Sequence, residues 1–126
     1  MTVAYVDTSV LVAVSFNEAR STVLATRLRG FSRLLASNLV EAELRAAFAR
    51  EQCSFAQEVL AGIEWILPDR RLSPEISAVL EAGYVRGADL WHLATALYAA
   101  GTPGDMAFVT CDDRQGRIAA ALGFHV

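Results

Sequence analysis

The stretch that decides the fold is Val3-Ala4-Tyr5-Val6-Asp7. Four consecutive apolar residues are too few for a helix and predict a short buried strand, and the acid then lies at the carboxyl end of that strand. The run Met106-Ala107-Phe108-Val109-Thr110-Cys111 is a second such strand, and Asp112 follows it. In open parallel α/β sheets the carboxyl ends of the strands carry the binding site. Two acids that meet there repel each other, and a bound divalent cation relieves that repulsion.

Strand and helix signals alternate between these two runs. Further strands are predicted at about residues 33–36 and 64–67, and a last edge strand at 124–126. Capping residues and a Ser-Pro start predict helices at about residues 9–14, 18–29, 38–52, 54–61, 73–85, 88–100 and 114–122. This alternation predicts an α/β fold, a single domain over residues 1–126 with a parallel four- to five-stranded sheet and helices on both faces. If the first and fourth strands are neighbours, the crevice between them is a topological switch point.

The composition bounds the class of protein. The chain has 126 residues, of which 54% are hydrophobic, and its net charge of −3 argues against a protein that coats nucleic acid but not against a nuclease. All 11 basic residues are arginine, which excludes a P-loop lysine, a Schiff-base lysine and the lysine of haloacid-dehalogenase-like phosphatases. Cys53 and Cys111 lack the spacing of zinc ligands or of a disulfide framework. Since the sequence shows neither a signal peptide nor an apolar run long enough to span a membrane, we expect a soluble cytoplasmic protein.

The third predicted helix carries the most informative acid, Glu43. The residues three and four positions away on the same helix are all apolar: Leu39, Val40, Ala46 and Ala47. Because an unpaired charge on an apolar stripe is unfavourable, Glu43 needs a partner, which is either a buried arginine or a metal ion. Glu41 differs, because Arg45 lies four residues further on and the pair suits a solvated face.

Each of the other acids has a structural alternative. Asp7 can cap the following helix through its side chain, and Asp89 can stand in a first helical turn because the macrodipole favours an acid there. Asp112 and Asp113 are adjacent, and one of them is expected to cap a helix. We prefer Asp112 as the inner acid, with Asp113 in reserve for a water-mediated contact. Hydroxyl groups beside the acids can orient a ligand or a water, although helix capping explains each of them equally well: Thr8, Ser9 and Thr110.

Carboxylates together with waters are the usual ligands of Mg²⁺, and they also suit Mn²⁺. Four acids from two strand ends and two helices match phosphodiester hydrolysis, in which a cation polarises the phosphate and lowers the pKa of the attacking water. His92 follows Asp89 by three residues. A packed histidine bonded to a carboxyl or backbone group is the favoured interpretation of His92, ahead of a catalytic base.

Taken together, these residues resemble the PIN-domain ribonucleases, and most closely the VapC-type toxins of toxin–antitoxin pairs. The resemblance covers essentially the whole chain and rests on four motifs in order: Val6-Asp7-Thr8-Ser9, Val40-Glu41-Ala42-Glu43-Leu44, Asp89-Leu90-Trp91-His92-Leu93-Ala94-Thr95-Ala96 and Val109-Thr110-Cys111-Asp112. It implies a PIN-like three-layer sandwich with adjacent first and fourth strands. It also implies a site that binds Mg²⁺ or Mn²⁺ and cleaves RNA to leave a 5′-phosphate and a 3′-hydroxyl, its acids being Asp7, Glu43, Asp89 and Asp112. A homodimer and an antitoxin protein whose tail covers the site are implied as well.

Two features depart from the family pattern, namely the doubled Asp112-Asp113 and a low net charge that leaves the RNA-binding surface unlocated. Candidate phosphate contacts are Arg20, Arg86 and Arg114. An endoribonuclease is favoured over a PIN-like docking module, because degenerate versions would usually lose an acid and this chain keeps all four. A phosphatase of another α/β class is disfavoured by the missing lysine. A neighbouring antitoxin-like reading frame would support a toxin, and its absence would favour a housekeeping RNA-processing nuclease.

Overall fold

The computed structural model describes residues 2–126, which form a four-stranded parallel sheet in the order β3-β2-β1-β4. The strands are β1 (Val3–Val6), β2 (Arg33–Ser37), β3 (Ile63–Ile66) and β4 (Ala107–Val109). The α-helices are α1 (Thr8–Ser15), α2 (Ser21–Arg29), α3 (Leu39–Arg50), α4 (Ser73–Ala82), α5 (Gly87–Ala100) and α6 (Asp113–Ala121). Short 3-10 helices lie at Gln57–Leu60 and Pro103–Asp105.

The sheet separates two hydrophobic cores, because side chains on a strand alternate between its faces. Tyr5 of β1 packs with Phe108 of β4 in a core that helices α4, α5 and α6 cover. Ala4 and Val6, on either side of Tyr5, pack in a second core that helices α1, α2 and α3 cover. The α/β three-layer sandwich predicted from the sequence is thereby confirmed.

Strands β1 and β4 are neighbours, and their adjacency creates the switch point. Val6 pairs with Val109 in parallel register, and the backbone amide of Asp7 donates to the carbonyl of Val109 at 3.0 Å. The chain after β1 continues to β2 on one side, whereas β4 joins on the other side. A crevice therefore opens at the carboxyl ends of β1 and β4, with Asp7 at its base.

Three predicted elements differ from the structure. The edge strand at 124–126 is reduced to a single parallel bridge between Ala107 and His125, so the sheet has four strands. The second helix begins at Ser21 instead of residue 18, because Asn17 adopts a positive φ of 55° that interrupts the helical path. The helix predicted at 54–61 is only a 3-10 helix, Gln57–Leu60.

Within residues 2–126, every helix is too short or too polar to cross a bilayer.

Candidate active site

Asp7 is both a helix cap and an acid directed into the crevice. The residue is only 4% exposed. Oδ2 accepts a hydrogen bond from the amide of Ser9 at 3.0 Å and so caps α1, and Oδ1 accepts one from Nε2 of Gln115 at 3.2 Å. The sequence allows Asp7, Thr8 or Ser9 as this cap, and the structure confirms Asp7: Thr8 is the first helical residue, and its hydroxyl donates to Glu43.

Glu43 of α3 reaches across the carboxyl edge of the sheet to His92 of α5. Its Oε1 accepts hydrogen bonds from Oγ1 of Thr8 and from Nε2 of His92, both at 2.7 Å. Partial burial acts to raise the pKa of Glu43, but these hydrogen bonds outweigh it and hold that pKa below the ordinary value. The partner of Glu43 is thus a histidine and a threonine, not the buried arginine that the apolar stripe allowed.

The proton on the His92 ring is placed by Tyr5. The ring is 1% exposed, and its Nδ1 lies 2.6 Å from the hydroxyl of Tyr5. That hydroxyl already accepts the amide of Ser37 at 3.2 Å, and burial raises the pKa of Tyr5 so that it keeps its proton. A Tyr5 hydroxyl that donates to Nδ1 leaves the ring proton on Nε2, directed at Glu43. The interpretation of His92 as a packed histidine bonded to a carboxyl group describes this geometry.

Asp89 lies in the first turn of α5, half-buried and close to the other acids. Burial is the largest cause of its raised pKa, and the negative charges of Asp7 and Asp112 raise that pKa further. In the described part of the chain, no residue donates a hydrogen bond to its carboxylate. A negative charge in this position has like charges around it, which the nearby His92 offsets only in part.

Asp112 caps α6 and stands at the exposed rim of the crevice. Its Oδ1 accepts the amide of Gln115 at 2.7 Å, while its own amide donates to Oγ1 of Thr110 at 3.1 Å. Together with Asp113 and Thr110, Asp112 lines a cavity of about 370 Å³ beside the crevice. Asp113 is exposed and is the first residue of α6. The charge of Asp112 is among the causes that raise the pKa of Asp89.

Three of the four predicted acids line one cavity of about 410 Å³, whose walls include Asp7, Thr8, Ser9, Glu43, Asp89 and Cys111. Ser9 links this cavity to β4, because its hydroxyl accepts the amide of Cys111 at 3.1 Å and lies 3.5 Å from that of Thr110. Burial raises the pKa of the Cys111 thiol, which is therefore protonated at neutral pH.

Two residues near the acids were missed in the sequence. Glu18 lies on the wall of the same cavity, whereas the sequence predicts only that a helix begins there. Gln115 is fully buried, and its amide donates to Asp7 and, at 3.3 Å, to the backbone carbonyl of Asp89, while its oxygen accepts the hydroxyl of Thr110 at 2.6 Å. Its position three residues after Asp112 was the available signal, because Asp-x-x-Gln is typical of a helix start.

The residues fit a hydrated divalent cation. The Asp89 carboxylate and Oε2 of Glu43 accept no hydrogen bond from any described residue, and Asp7 retains free lone pairs beside them. Within residues 2–126, however, no three His, Cys, Asp or Glu side chains stand close enough to ligate one ion directly. Mg²⁺ commonly keeps several waters and takes only one or two carboxylates, so this spacing suits it.

The fold and the site define an α/β domain with an acidic crevice at its switch point. The chain belongs to the PIN-domain family, whose family model matches residues 4–121. PIN domains are generally metal-dependent nucleases that act on RNA. No curated protein and no solved structure matched the chain. The family is thus confirmed, whereas the narrower resemblance to VapC-type toxins stays a prediction.

Proposed function

We propose that this protein is a metal-dependent endoribonuclease that hydrolyses RNA phosphodiester bonds with the aid of Mg²⁺ or Mn²⁺. The proposed metal-site acids are Asp7, Glu43, Asp89 and Asp112, with Asp113 in reserve and with Thr8, Ser9 and Thr110 in support. The observation that carries the proposal is the half-buried Asp89 carboxylate, which lies among like charges without a hydrogen-bond donor in the described chain. Repulsion of this kind is relieved by a cation.

The protein's own contribution is to hold the acids ionised and oriented. When bound, a divalent cation polarises the phosphate and lowers the pKa of an attacking water. Thr8 and His92 together keep Glu43 ionised with one oxygen fixed, which leaves Oε2 free toward the cavity. Gln115 and the amide of Ser9 fix the two oxygens of Asp7. This pre-organisation favours a bound phosphodiester and water without rearrangement of the side chains.

The test compares variants of two site acids with a variant of Glu41, which lies on the same helix as Glu43 but outside the site. Glu43→Gln and Asp89→Asn should each lower the cleavage rate of a labelled single-stranded RNA by about 100-fold or more, because each removes charge next to the reacting phosphate. Glu41→Gln should cleave like the wild type, because Glu41 pairs with Arg45 on the solvated face. The wild type in EDTA should be inactive.

Titration of the metal-free protein with Mn²⁺ by calorimetry completes the test. Saturable binding that weakens sharply in Asp7→Asn is expected. A folded wild type that neither binds Mn²⁺ nor cleaves RNA would contradict the nuclease and favour the docking module.

The resemblance to VapC-type toxins extends the proposal to a cellular role. We infer the toxin component of a toxin–antitoxin pair, a homodimer whose acidic crevice is covered by the tail of an antitoxin protein in the cytoplasm. Induced expression of the wild type should arrest growth, and Asp7→Asn should not. Robust growth with an active nuclease would instead favour a housekeeping role in RNA processing.

A further inference from the structure

The arginines of this chain fall into two groups. Four of them form ion pairs with glutamates at 2.6–3.6 Å: Arg33 with Glu64, Arg45 with Glu41, Arg50 with Glu51 and Arg70 with Glu75. The other seven have no ion-pair partner in residues 2–126, and four of these seven line two cavities that share Arg117: Arg20, Arg27, Arg114 and Arg117. Their positive charge is therefore free to attract an external anion.

Three of the unpaired guanidinium groups lie directly beside the acidic crevice. Arg20, Arg27 and Arg117 line a cavity of about 370 Å³ together with Thr110 and Asp112. The hydroxyl of Thr110 lies 3.5 Å from that of Ser9, a residue of the neighbouring acidic cavity, so the two cavities adjoin. Asp112 and Asp113 offset part of the positive charge here. An anion held in this cavity still meets more guanidinium groups than carboxylates.

Arg117 also lines a further cavity, of about 400 Å³, which combines positive charge with an aromatic ring. Its charged wall residues are Arg114 and Arg117, and no acid is among its lining residues. Tyr84 stands on the same wall with 66% of its surface exposed, next to the apolar atoms of Gly83 and Ile118. A planar ring that is this exposed and flanked by guanidinium groups can stack a nucleobase while the arginines hold its phosphate.

We propose that these two cavities form one track for single-stranded RNA that leads away from the acidic crevice. Phosphates lie on Arg20, Arg27 and Arg117, and a base stacks on Tyr84 near Arg114. The inference rests on the proposed nuclease function and locates the RNA-binding surface that the net charge of −3 leaves open. Single-stranded RNA suits the surface better than an acidic protein segment, since an exposed ring beside guanidinium groups can stack an unpaired base while the arginines hold its phosphate.

The test measures binding in EDTA, where metal-dependent cleavage is absent. A short fluorescein-labelled single-stranded RNA is titrated with wild type, Arg117→Gln and the triple variant Arg20→Gln, Arg27→Gln, Arg117→Gln. Each lost phosphate contact should lower the slope of log Kd against log salt concentration by about 0.7. The matched control is Arg33→Gln, which should bind RNA like the wild type. It removes the same charge at the amino end of β2, whereas the acidic crevice lies at the carboxyl ends of the strands.

The stacking role is tested separately at Tyr84. Tyr84→Ala should weaken binding roughly 5- to 100-fold, whereas Tyr84→Phe should retain it, because the ring is kept. Equal effects of Arg117→Gln and Arg33→Gln would overturn the track. So would an acidic peptide that binds more tightly than RNA of equal charge.

Failure of the track is distinguishable from failure of the nuclease. If the wild type cleaves RNA with Mg²⁺ and the track variants match it in both binding and cleavage, the proposed track is wrong and the proposed nuclease function stands. If binding depends on the track residues but the wild type cleaves no RNA with Mg²⁺ or Mn²⁺, the nuclease is wrong and the surface stands.

Discussion

At the scale of single residues, Asp89 links the charge of the site to the stability of the fold. Burial and the neighbouring acids raise its pKa, so the charged form destabilises the folded state relative to the unfolded one. Without metal at neutral pH, Asp89→Asn should therefore melt a few degrees above the wild type, a small effect because solvent screens a half-exposed carboxylate. The difference should shrink as the pH falls through the raised pKa of the folded state and vanish well below 3.8, the ordinary value for Asp, where the wild-type carboxyl is protonated in both states.

Calorimetric melting in EDTA and in MgCl₂ checks this prediction. Saturating Mg²⁺ should reverse the order, since only the wild type keeps the full ligand charge. A variant that melts below the wild type in EDTA at every pH would show that Asp89 has a stabilising partner.

Gln115 connects three separate groups of the site. It serves the carboxylate of Asp7, the carbonyl of Asp89 and the hydroxyl of Thr110. Gln115→Met keeps a similar volume but leaves these groups unpaired, and it should lower the free energy of unfolding by about 1–3 kcal/mol. Urea unfolding measures this loss, with the exposed Gln57→Met as the control. Equal losses in both variants would mean that the buried amide contributes nothing specific.

At the scale of elements, a hydrogen-bonded chain from β1 through α5 to α3 joins the two layers of helices. Tyr5→Phe removes the hydroxyl that accepts the Ser37 amide and donates to His92, and should lower the free energy of unfolding by about 1–3 kcal/mol. Nitrogen NMR of the ring should show the proton of wild-type His92 on Nε2 and a mixture of tautomers in Tyr5→Phe. A wild-type proton on Nδ1 would contradict the assigned direction of the chain.

The contact between α4 and α6 depends on a glycine for steric reasons. Gly83 has an extended φ of 170° that any residue adopts, so the available space decides its role. A Cβ at this position would lie 2.8 Å from Cγ1 and 3.0 Å from Cδ1 of Ile118. Gly83→Ala should therefore cost about 1–3 kcal/mol by overpacking, whereas Gly104→Ala, with no atom within 4 Å of its Cβ, should cost far less. If Ile118→Ala, which removes both of these atoms, does not offset part of the loss in a double-mutant cycle with Gly83→Ala, the clash is not the cause.

At the scale of the whole molecule, the sheet and its layers could be predicted because both signals are local. The apolar run of β1 and the alternation of strands and helices suffice for a parallel sheet covered on both faces. The helix predicted at 54–61 was wrong because Val59 and Leu60 are fixed by packing against the second core, in a 3-10 turn that local pattern cannot distinguish from a helix.

The positions of the site acids could be predicted from the sequence, but the hydrogen bonds that orient them could not. Topology brings Asp7, Glu43 and Asp89 to one cavity, as strand-end acids and helix starts suggested. The bonds that orient them join residues 49 and 108 positions apart in sequence, His92 with Glu43 and Gln115 with Asp7. The local pattern Asp112-x-x-Gln115 predicts the wrong partner for the glutamine side chain. A capping box would direct the glutamine to the Asp112 amide, but Thr110 occupies that amide and the glutamine turns inward.

The proposed cation lies where the two layers of helices meet, so its binding should stabilise both. Glu43 belongs to α3 on one face of the sheet, and Asp89 belongs to α5 on the other. A ligand that binds only the folded state contributes about 2.7 kcal/mol at 100 times its Kd. We expect Mg²⁺ to raise the Tm and to slow amide hydrogen exchange in α3 and α5 alike, in the wild type and in Glu41→Gln but not in Asp7→Asn. Protection confined to one layer, or an equal response of Asp7→Asn, would mean that the ion binds to acids outside the crevice.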